Sequence, residues 1–215
     1  MIPNNKIIAF LSSQTSNAKF IDRLKIRYRP IICPFNMLLS FANESNHNVG
    51  FDIGCGSGQF VSLLAEFTSL KEIYGIEISP ELIKNAKELK AQHEDTKTHF
   101  EIFDGQCFPD TLSESDIVYL IDVVHHIPEN KQVDFLKNIY FKMKPNAVLI
   151  LKDIDKDHPY VYFNKLHDLI FAGEIGKELS MNSAAKKIEE IGFRIIERFK
   201  KTIFVYPHYF LICKK

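Results

Sequence analysis

The sequence predicts an α/β protein built on a mostly parallel sheet, and three observations carry that reading. From Val49 onward, short apolar runs alternate with segments of helical periodicity, the pattern of strands and helices laid down in successive layers. The first apolar run ends in the glycine-rich turn Gly54-Cys55-Gly56-Ser57-Gly58, which passes at once into a helical segment. The last two apolar runs are separated only by residues 200–202. A parallel crossover needs a dozen residues or more, so that final pair is antiparallel.

Strands are expected at 49–53, 72–78, 99–103, 117–121, 147–153, 193–199 and 203–213. The first helix, 59–67, places Phe60, Leu63, Leu64 and Phe67 on one face at i, i+3, i+4 and i+7. The second, 80–90, has Ser79 as N-cap and Pro80 at its first position. The third, 130–143, repeats the apolar spacing with Val133, Leu136, Ile139 and Tyr140 and stops before Pro145. The fourth, 182–191, ends at Gly192, a natural C-terminal stop. Pro207 within the last apolar run calls for an edge strand or a bulge, because it has no N–H to give a central ladder.

Two stretches lie outside the alternation. Residues 1–47 read as a helical N-terminal extension. Residues 154–181 form an insertion rich in aromatics (Tyr160, Tyr162, Phe163, Phe171). It follows the fifth strand, on the side where open α/β sheets bind their ligands, and reads as a lid over a substrate. Within it Asn164, His167 and Asp168 share a helical face, either as polar contacts in the lid or on a helix packed against the sheet. A length of 215 residues suits one domain, 1–215, with a real core.

Composition narrows the partners. The chain is 46% hydrophobic and 25% charged, ordinary for a soluble globular protein. Its 27 basic and 27 acidic residues cancel, which counts against a nucleic-acid partner, since phosphate binding favours a basic excess. Cys33, Cys55, Cys107 and Cys213 include no pair at metal-binding or redox spacing, so they read as reduced thiols of a cytoplasmic protein. The N-terminal apolar run 7–11 is too short for a signal peptide, and no run approaches a membrane span. Between Lys19 and Arg29 five basic residues (Lys19, Arg23, Lys25, Arg27, Arg29) face one acid, Asp22, with apolar residues interleaved. This is either a solvated face or a surface for an anionic substrate, an acidic carrier protein or a membrane.

The candidate chemistry begins at the glycine turn. Glycines at a strand–helix junction let the backbone adopt positive φ and approach a ligand closely. A dinucleotide fold would place its third glycine at 59, but that residue is Gln59; the spacing is G-x-G-x-G, preceded by Asp52. Glu77 ends the second strand and can accept hydrogen bonds from two ribose hydroxyls. Asp104 and Gly105 follow the third strand.

An acid followed by G-x-G-x-G resembles the first motif of the class I S-adenosylmethionine-dependent methyltransferases, and the resemblance runs motif by motif over residues 48–153. It implies a three-layer α/β/α sandwich whose seven-stranded, mostly parallel sheet has the order 3-2-1-4-5-7-6, the last strand antiparallel. It implies S-adenosyl-L-methionine as cofactor, with Asp52, Gly54, Cys55, Gly56 and Gly58 around it. Glu77, with Ile78 beside it, would hold the ribose. Asp104 would face the adenine amino group, with Gly105 near the ring, and Asp122 and Val123 would line the methionine half. The family's reaction is in-line displacement at the sulfonium methyl, to which the protein contributes alignment and exclusion of water.

The resemblance also shapes the substrate. The segment after the fourth strand lacks the Pro-Pro-aromatic signature of amino-methylating nucleic-acid enzymes and the Pro-Cys of cytosine C5 enzymes. It looks instead like the small-molecule branches, implying a small or lipid-like acceptor, with O-methylation ahead of C-methylation. Two rivals remain: an aminopropyl transferase on the same fold, which would need paired acids, and a module that binds cofactor without turnover.

His125 and His126 are candidate general bases, because a neutral imidazole titrates near working pH. On extended backbone adjacent side chains point oppositely, so one of the two would face the acceptor, or both would simply pack. Downstream, Asp153, Asp155 and Asp157 alternate as in a calcium loop, yet the sixth position is His158 and the twelfth Asn164. The EF-hand pattern fails, and a polar strand end facing the pocket is expected ahead of the alternative, a magnesium site like that of catechol-type methyltransferases.

Overall fold

The computed structural model describes residues 2–14, 28–44, 46–89, 96–171, 173 and 175–215. Positions 19–27 of the basic stretch lie outside them. The chain divides into two compact units, Met1–Cys107 and Phe108–Lys215.

In the first unit, α1 (Asn4–Gln14) and α2 (Phe35–Asn43) precede β1 (Val49–Ile53), α3 (Gln59–Phe67), β2 (Glu72–Glu77), α4 (Pro80–Glu88) and β3 (Lys97–Ile102). β1 pairs parallel with β2, and β2 with β3. Phe60, Leu63 and Leu64 of the expected face of α3 are buried and Phe67 is half-buried, but Gln59, Val61, Ser62 and Ala65 are buried too. The N-terminal extension accounts for this: Phe10 of α1 meets Phe67 edge-on and Phe35 of α2 stacks on Phe60. α4 starts as expected, with Ser79 Oγ accepting the Leu82 N–H at 3.3 Å.

The second unit carries a 3₁₀ turn (Asp110–Glu114), β4 (Ile117–Ile121), a second 3₁₀ turn (Val124–His126), α5 (Glu129–Lys142), β5 (Val148–Ile154), α6 (Val161–Phe171), α7 (Met181–Ile191), β6 (Arg194–Ile203) and β7 (Tyr206–Lys214). All five residues of β4 are buried, as a parallel strand covered on both faces requires. β4 pairs parallel with β5; β7 runs antiparallel to both β5 and β6. The seven strands follow the order β3-β2-β1-β4-β5-β7-β6, the order the resemblance implied.

Two local expectations are corrected. The final hairpin does not turn at 200–202: β6 continues through Lys200, Lys201 and Thr202 to Ile203, and the chain reverses at Phe204, at φ 54°. That polar run belongs to the edge strand of the sheet, where charged side chains discourage pairing with other chains. Pro207 lies neither on an edge nor at a bulge, since β7 has a partner on each side. It sits at the start of β7, opposite Thr202 and one residue before the pairing with β5 begins at His208. Its missing N–H therefore costs no bond to β5, and its carbonyl accepts the Asp155 N–H at 2.7 Å.

Candidate active site

In the first unit the glycine turn is held in positive φ at Gly54 (76°), Gly56 (54°) and Gly58 (78°), a region L side chains rarely occupy. The Gly54 and Cys55 N–H groups both donate to the Ile76 carbonyl, at 2.8 and 3.0 Å, tying the turn to β2. Glu77 completes the tie. Its Oε2 accepts the Gly56 N–H and its Oε1 the Ser79 N–H, each at 3.1 Å. One half-buried carboxylate thus fixes the glycine turn and the start of α4 together. Ile78 beside it is exposed, as are Asp104 and Gly105.

Asp104 Oδ1 accepts the Gln106 and Cys107 N–H groups at 2.8 Å each. The Cys107 amide first, and then that of Gln106, holds its carboxyl below the usual range. Cys55 contributes through its backbone, because its thiol is turned against Gly75 and burial pushes its pKa far up. Asp52 is buried under the turn. Burial pushes its carboxyl up to about 7, with the Arg29 charge pulling it down and Glu77 pushing it further up.

Arg29 is the residue that sequence reasoning missed. It was one cation among five in an amphipathic run, and no spacing singled it out. The structure sets its Nη1 3.7 Å from where a Cβ on Gly56 would stand, with the guanidinium over the Phe35 ring.

The raised Asp52 pKa makes a stability prediction. The folded state holds this proton at pH values where the unfolded chain, with an ordinary carboxyl near 3.8, has lost it. The stabilisation is therefore complete below pH 3.8 and is lost as pH rises through 7. Relative to Asp52→Asn, the wild type should lose about 4 kcal/mol between pH 4 and pH 8, at roughly 1.36 kcal/mol per unit. Urea unfolding of both proteins across that range checks it; a gap independent of pH contradicts it.

In the second unit β4 ends at Asp122, which takes φ 55°. Lys152 of β5, fully buried, donates to both of its carboxylate oxygens at 2.6 and 2.7 Å. Burial works to raise the Asp122 pKa, but the charge of Lys152, joined by His208 and His125 when they are protonated, outweighs it and holds the carboxyl below its ordinary range. Val123 beside it is half-buried.

The histidines do not lie on extended backbone. Val124–His126 form a 3₁₀ turn, so the opposite-facing argument fails and the two rings lie 4.0 Å apart between centroids. Burial separates them instead: His125 is 3% exposed, whereas His126 is exposed. His125 Nδ1 lies 2.5 Å from Asp153 Oδ1, and its main-chain N–H donates to Asp153 Oδ2 at 3.2 Å. A carboxylate 28 residues away in sequence thus grips both ring and backbone of one histidine.

The alternating aspartates divide their work. Asp153 holds His125. Asp155 pairs with Lys200 at 2.5 Å and accepts the Met181 N–H, joining the end of β5 to the hairpin and to α7. Asp157 is exposed. Among the described residues no group of three or more His, Cys, Asp or Glu is placed to hold a metal ion. In the insertion, Asn164 is buried and donates to Glu178 at 3.4 Å; the side chains of His167 and Asp168 lie outside the described residues. Tyr162, Phe163, Leu166 and Leu169 of α6 are exposed. Among the described residues no helix is long and apolar enough to cross a membrane.

Comparison with known proteins bears on the domain and the fold. A family model described as "Methyltransferase domain" matches residues 51–149. The chain is 26% identical over 159 residues to a tRNA (guanine-N(7)-)-methyltransferase of Prochlorococcus marinus (strain MIT 9215), covering 73% of this chain and 74% of that one. It is 26% identical over 130 residues to an acetylserotonin O-methyltransferase of Macaca mulatta, covering 59% of this chain but 37% of the relative. Among solved structures, magnesium protoporphyrin IX methyltransferase from Synechocystis PCC 6803 with bound S-adenosylhomocysteine superposes with a TM-score of 0.69 at 18% identity, covering 99% of this chain and 95% of that one. The methyltransferase domain matched over residues 51–149 takes in the glycine turn that Glu77 anchors, and the seven-stranded sheet is that of the methyltransferase fold.

Proposed function

We propose that this enzyme methylates an oxygen of a small, largely apolar acceptor, with His125 as the general base. The observation that carries the proposal is the buried His125–Asp153 pair. The exposed Tyr162, Phe163, Leu166 and Leu169 of α6 supply an apolar surface for such an acceptor, and zero net charge counts against a polyanionic one.

The residues of the first unit fit the cofactor. Three glycines at positive φ leave the turn open to close approach, Glu77 presents a carboxylate for the ribose hydroxyls, and Asp104 and Gly105 stand exposed for the adenine. Arg29 supplies the positive charge that a carboxylate at the methionine end requires. When bound, S-adenosylmethionine supplies a methyl group already activated by its sulfonium charge. Asp153 holds His125 with its proton on Nδ1, so the lone pair of the neutral ring is on Nε2. The acceptor oxygen would replace sulfur on the methyl carbon, with S-adenosylhomocysteine leaving; Nε2 would take the hydroxyl proton and the Asp153 carboxylate would stabilise the resulting imidazolium.

Calorimetric titration with S-adenosylhomocysteine, followed by an S-adenosylhomocysteine-release assay over a panel of phenols and other hydroxylated small molecules, tests the reading. Glu77→Ala should weaken S-adenosylhomocysteine binding by roughly tenfold or more, the loss of charge-assisted hydrogen bonds to the ribose. His125→Ala should leave that binding within about twofold and lower kcat about 10²–10⁴-fold, whereas His126→Ala should change little. Wild-type turnover in both histidine variants would remove the general base. Turnover on tRNA alone would remove the small-molecule acceptor.

A further inference from the structure

The reading of His125 as general base leaves open what holds the other side of the imidazole, and the segment after α6 supplies an answer. The Lys177 N–H donates to the His125 carbonyl at 2.6 Å. Gly176 lies against the ring itself. A Cβ there would stand 3.1 Å from His125 Cδ2 and 2.9 Å from Glu178 Oε1, so imidazole edge and carboxylate flank the same Cα. A side chain at this position would push on the ring and on the Glu178 carboxylate at once.

Two anchors hold the strap 176–178 in place. From α5, the fully buried Gln132 points its Nε2 at three carbonyls: Val124 at 3.2 Å, Ile127 at 3.2 Å and Lys177 at 2.9 Å. The first two bracket the histidine turn and the third belongs to the strap, so one amide ties the two together. From α6, Lys165 Nζ binds the buried Glu178 carboxylate at 2.6 Å and the Gly176 carbonyl at 3.0 Å, and Asn164 adds its contact to Glu178. The same helix exposes Tyr162, Phe163, Leu166 and Leu169.

We propose that Gln132, Lys165 and Glu178 are positioning residues that clamp the strap 176–178 against His125, so that the setting of α6 determines how the imidazole is presented. This rests on the general-base reading above and adds to it a mechanical link from the acceptor-facing helix to the base. The clamp is closed in this structure, with Lys165 Nζ 2.6 Å from Glu178 Oε2, and the strap carries that order from α6 to the ring. With the clamp closed, Asp153 on one side and Gly176 on the other leave the imidazole a single orientation.

The test uses the full chain labelled with ¹⁵N-histidine, and two readouts that need no acceptor: the His125 tautomer from its ring nitrogen shifts, and amide exchange at His125 and Lys177. Lys165 is about one-third exposed, so Lys165→Met should fold. It should turn a single Nδ1–H tautomer into a mixture and speed exchange of both amides at least about tenfold. Lys165→Arg should restore both, and the Leu151 amide of β5 should keep its wild-type rate in every variant. Gln132→Met should act like Lys165→Met from the opposite anchor. If Lys165→Met keeps the wild-type tautomer and exchanges within about twofold of wild type, or if Leu151 loosens equally, the clamp does not exist. Failure of the general base would look different: His125→Ala would retain turnover while Lys165→Met still released the ring.

Discussion

Gly58→Ala should cost the protein about 3 kcal/mol and remove most of its affinity for S-adenosylhomocysteine. Two effects add at this position. The residue holds φ 78°, a left-handed conformation that penalises an L side chain by about 1–2 kcal/mol. The new methyl would also stand 2.9 Å from Ala86 Cβ and 3.0 Å from Phe100 Cζ, neither the far end of a flexible chain. Relieving such an overlap costs about 1–3 kcal/mol. The only cheap escape is to lift the turn off α4 and β3, which would shift the Gly56 N–H away from Glu77. Urea unfolding and calorimetry report the two losses separately. Gly105→Ala is the control, because Gly105 shares the positive φ (80°) but a Cβ there meets nothing within 4 Å. Its cost should be the conformational part alone, about 1 kcal/mol. Equal costs at the two positions would mean that packing beneath the turn contributes nothing.

Lys152→Met should destabilise the protein by about 3 kcal/mol, the low end of the range for removing one partner of a buried ion pair, because the Asp122 side chain is a quarter exposed. The ammonium is the only cation within hydrogen-bond reach of Asp122 among the described contacts, and it engages both carboxylate oxygens. Methionine matches the stem in volume but leaves the carboxylate, on a residue already at positive φ, without its counter-charge. Asp122→Asn added to Lys152→Met removes the stranded charge and should recover at least half of the loss. A double-mutant cycle by denaturant unfolding gives the coupling. Additive losses would show that the two residues act independently despite their contact.

The elements most legible in the sequence were those that local chemistry dictates. β1, β4 and α3 begin and end where apolar runs meet the glycine turn or polar residues, and their observed bounds match the expected ones residue for residue. Elements ending in polar sequence were less legible. β6 runs through Lys200, Lys201 and Thr202 because its edge position leaves one side of the backbone to water, and edge status is a property of the whole sheet. Pro207 was judged as if a strand had one environment along its length, yet its first residues lie beyond the reach of β5.

The candidate site divides along the same line. Asp52, the three glycines, Glu77 and Asp104 stand at strand ends, and a strand's end is visible in its own few residues. Their geometry follows from local rules: positive φ favours glycine, and a carboxylate next to free N–H groups accepts from them. The histidine pair was visible only as a pair. Which of the two is buried, and which aspartate holds it, depended on a 3₁₀ turn meeting the end of β5 across 28 residues. Arg29, Gln132 and Glu178 carried no signal, because a cation in a basic run, a glutamine on a helix and a glutamate in a loop are each common. Local periodicity and turn chemistry thus determined the class of fold and the cofactor turn, because both rest on interactions between near neighbours. Only the tertiary structure decided which charges are buried together, because burial and pairing are set by chain segments that meet in space and are distant in sequence.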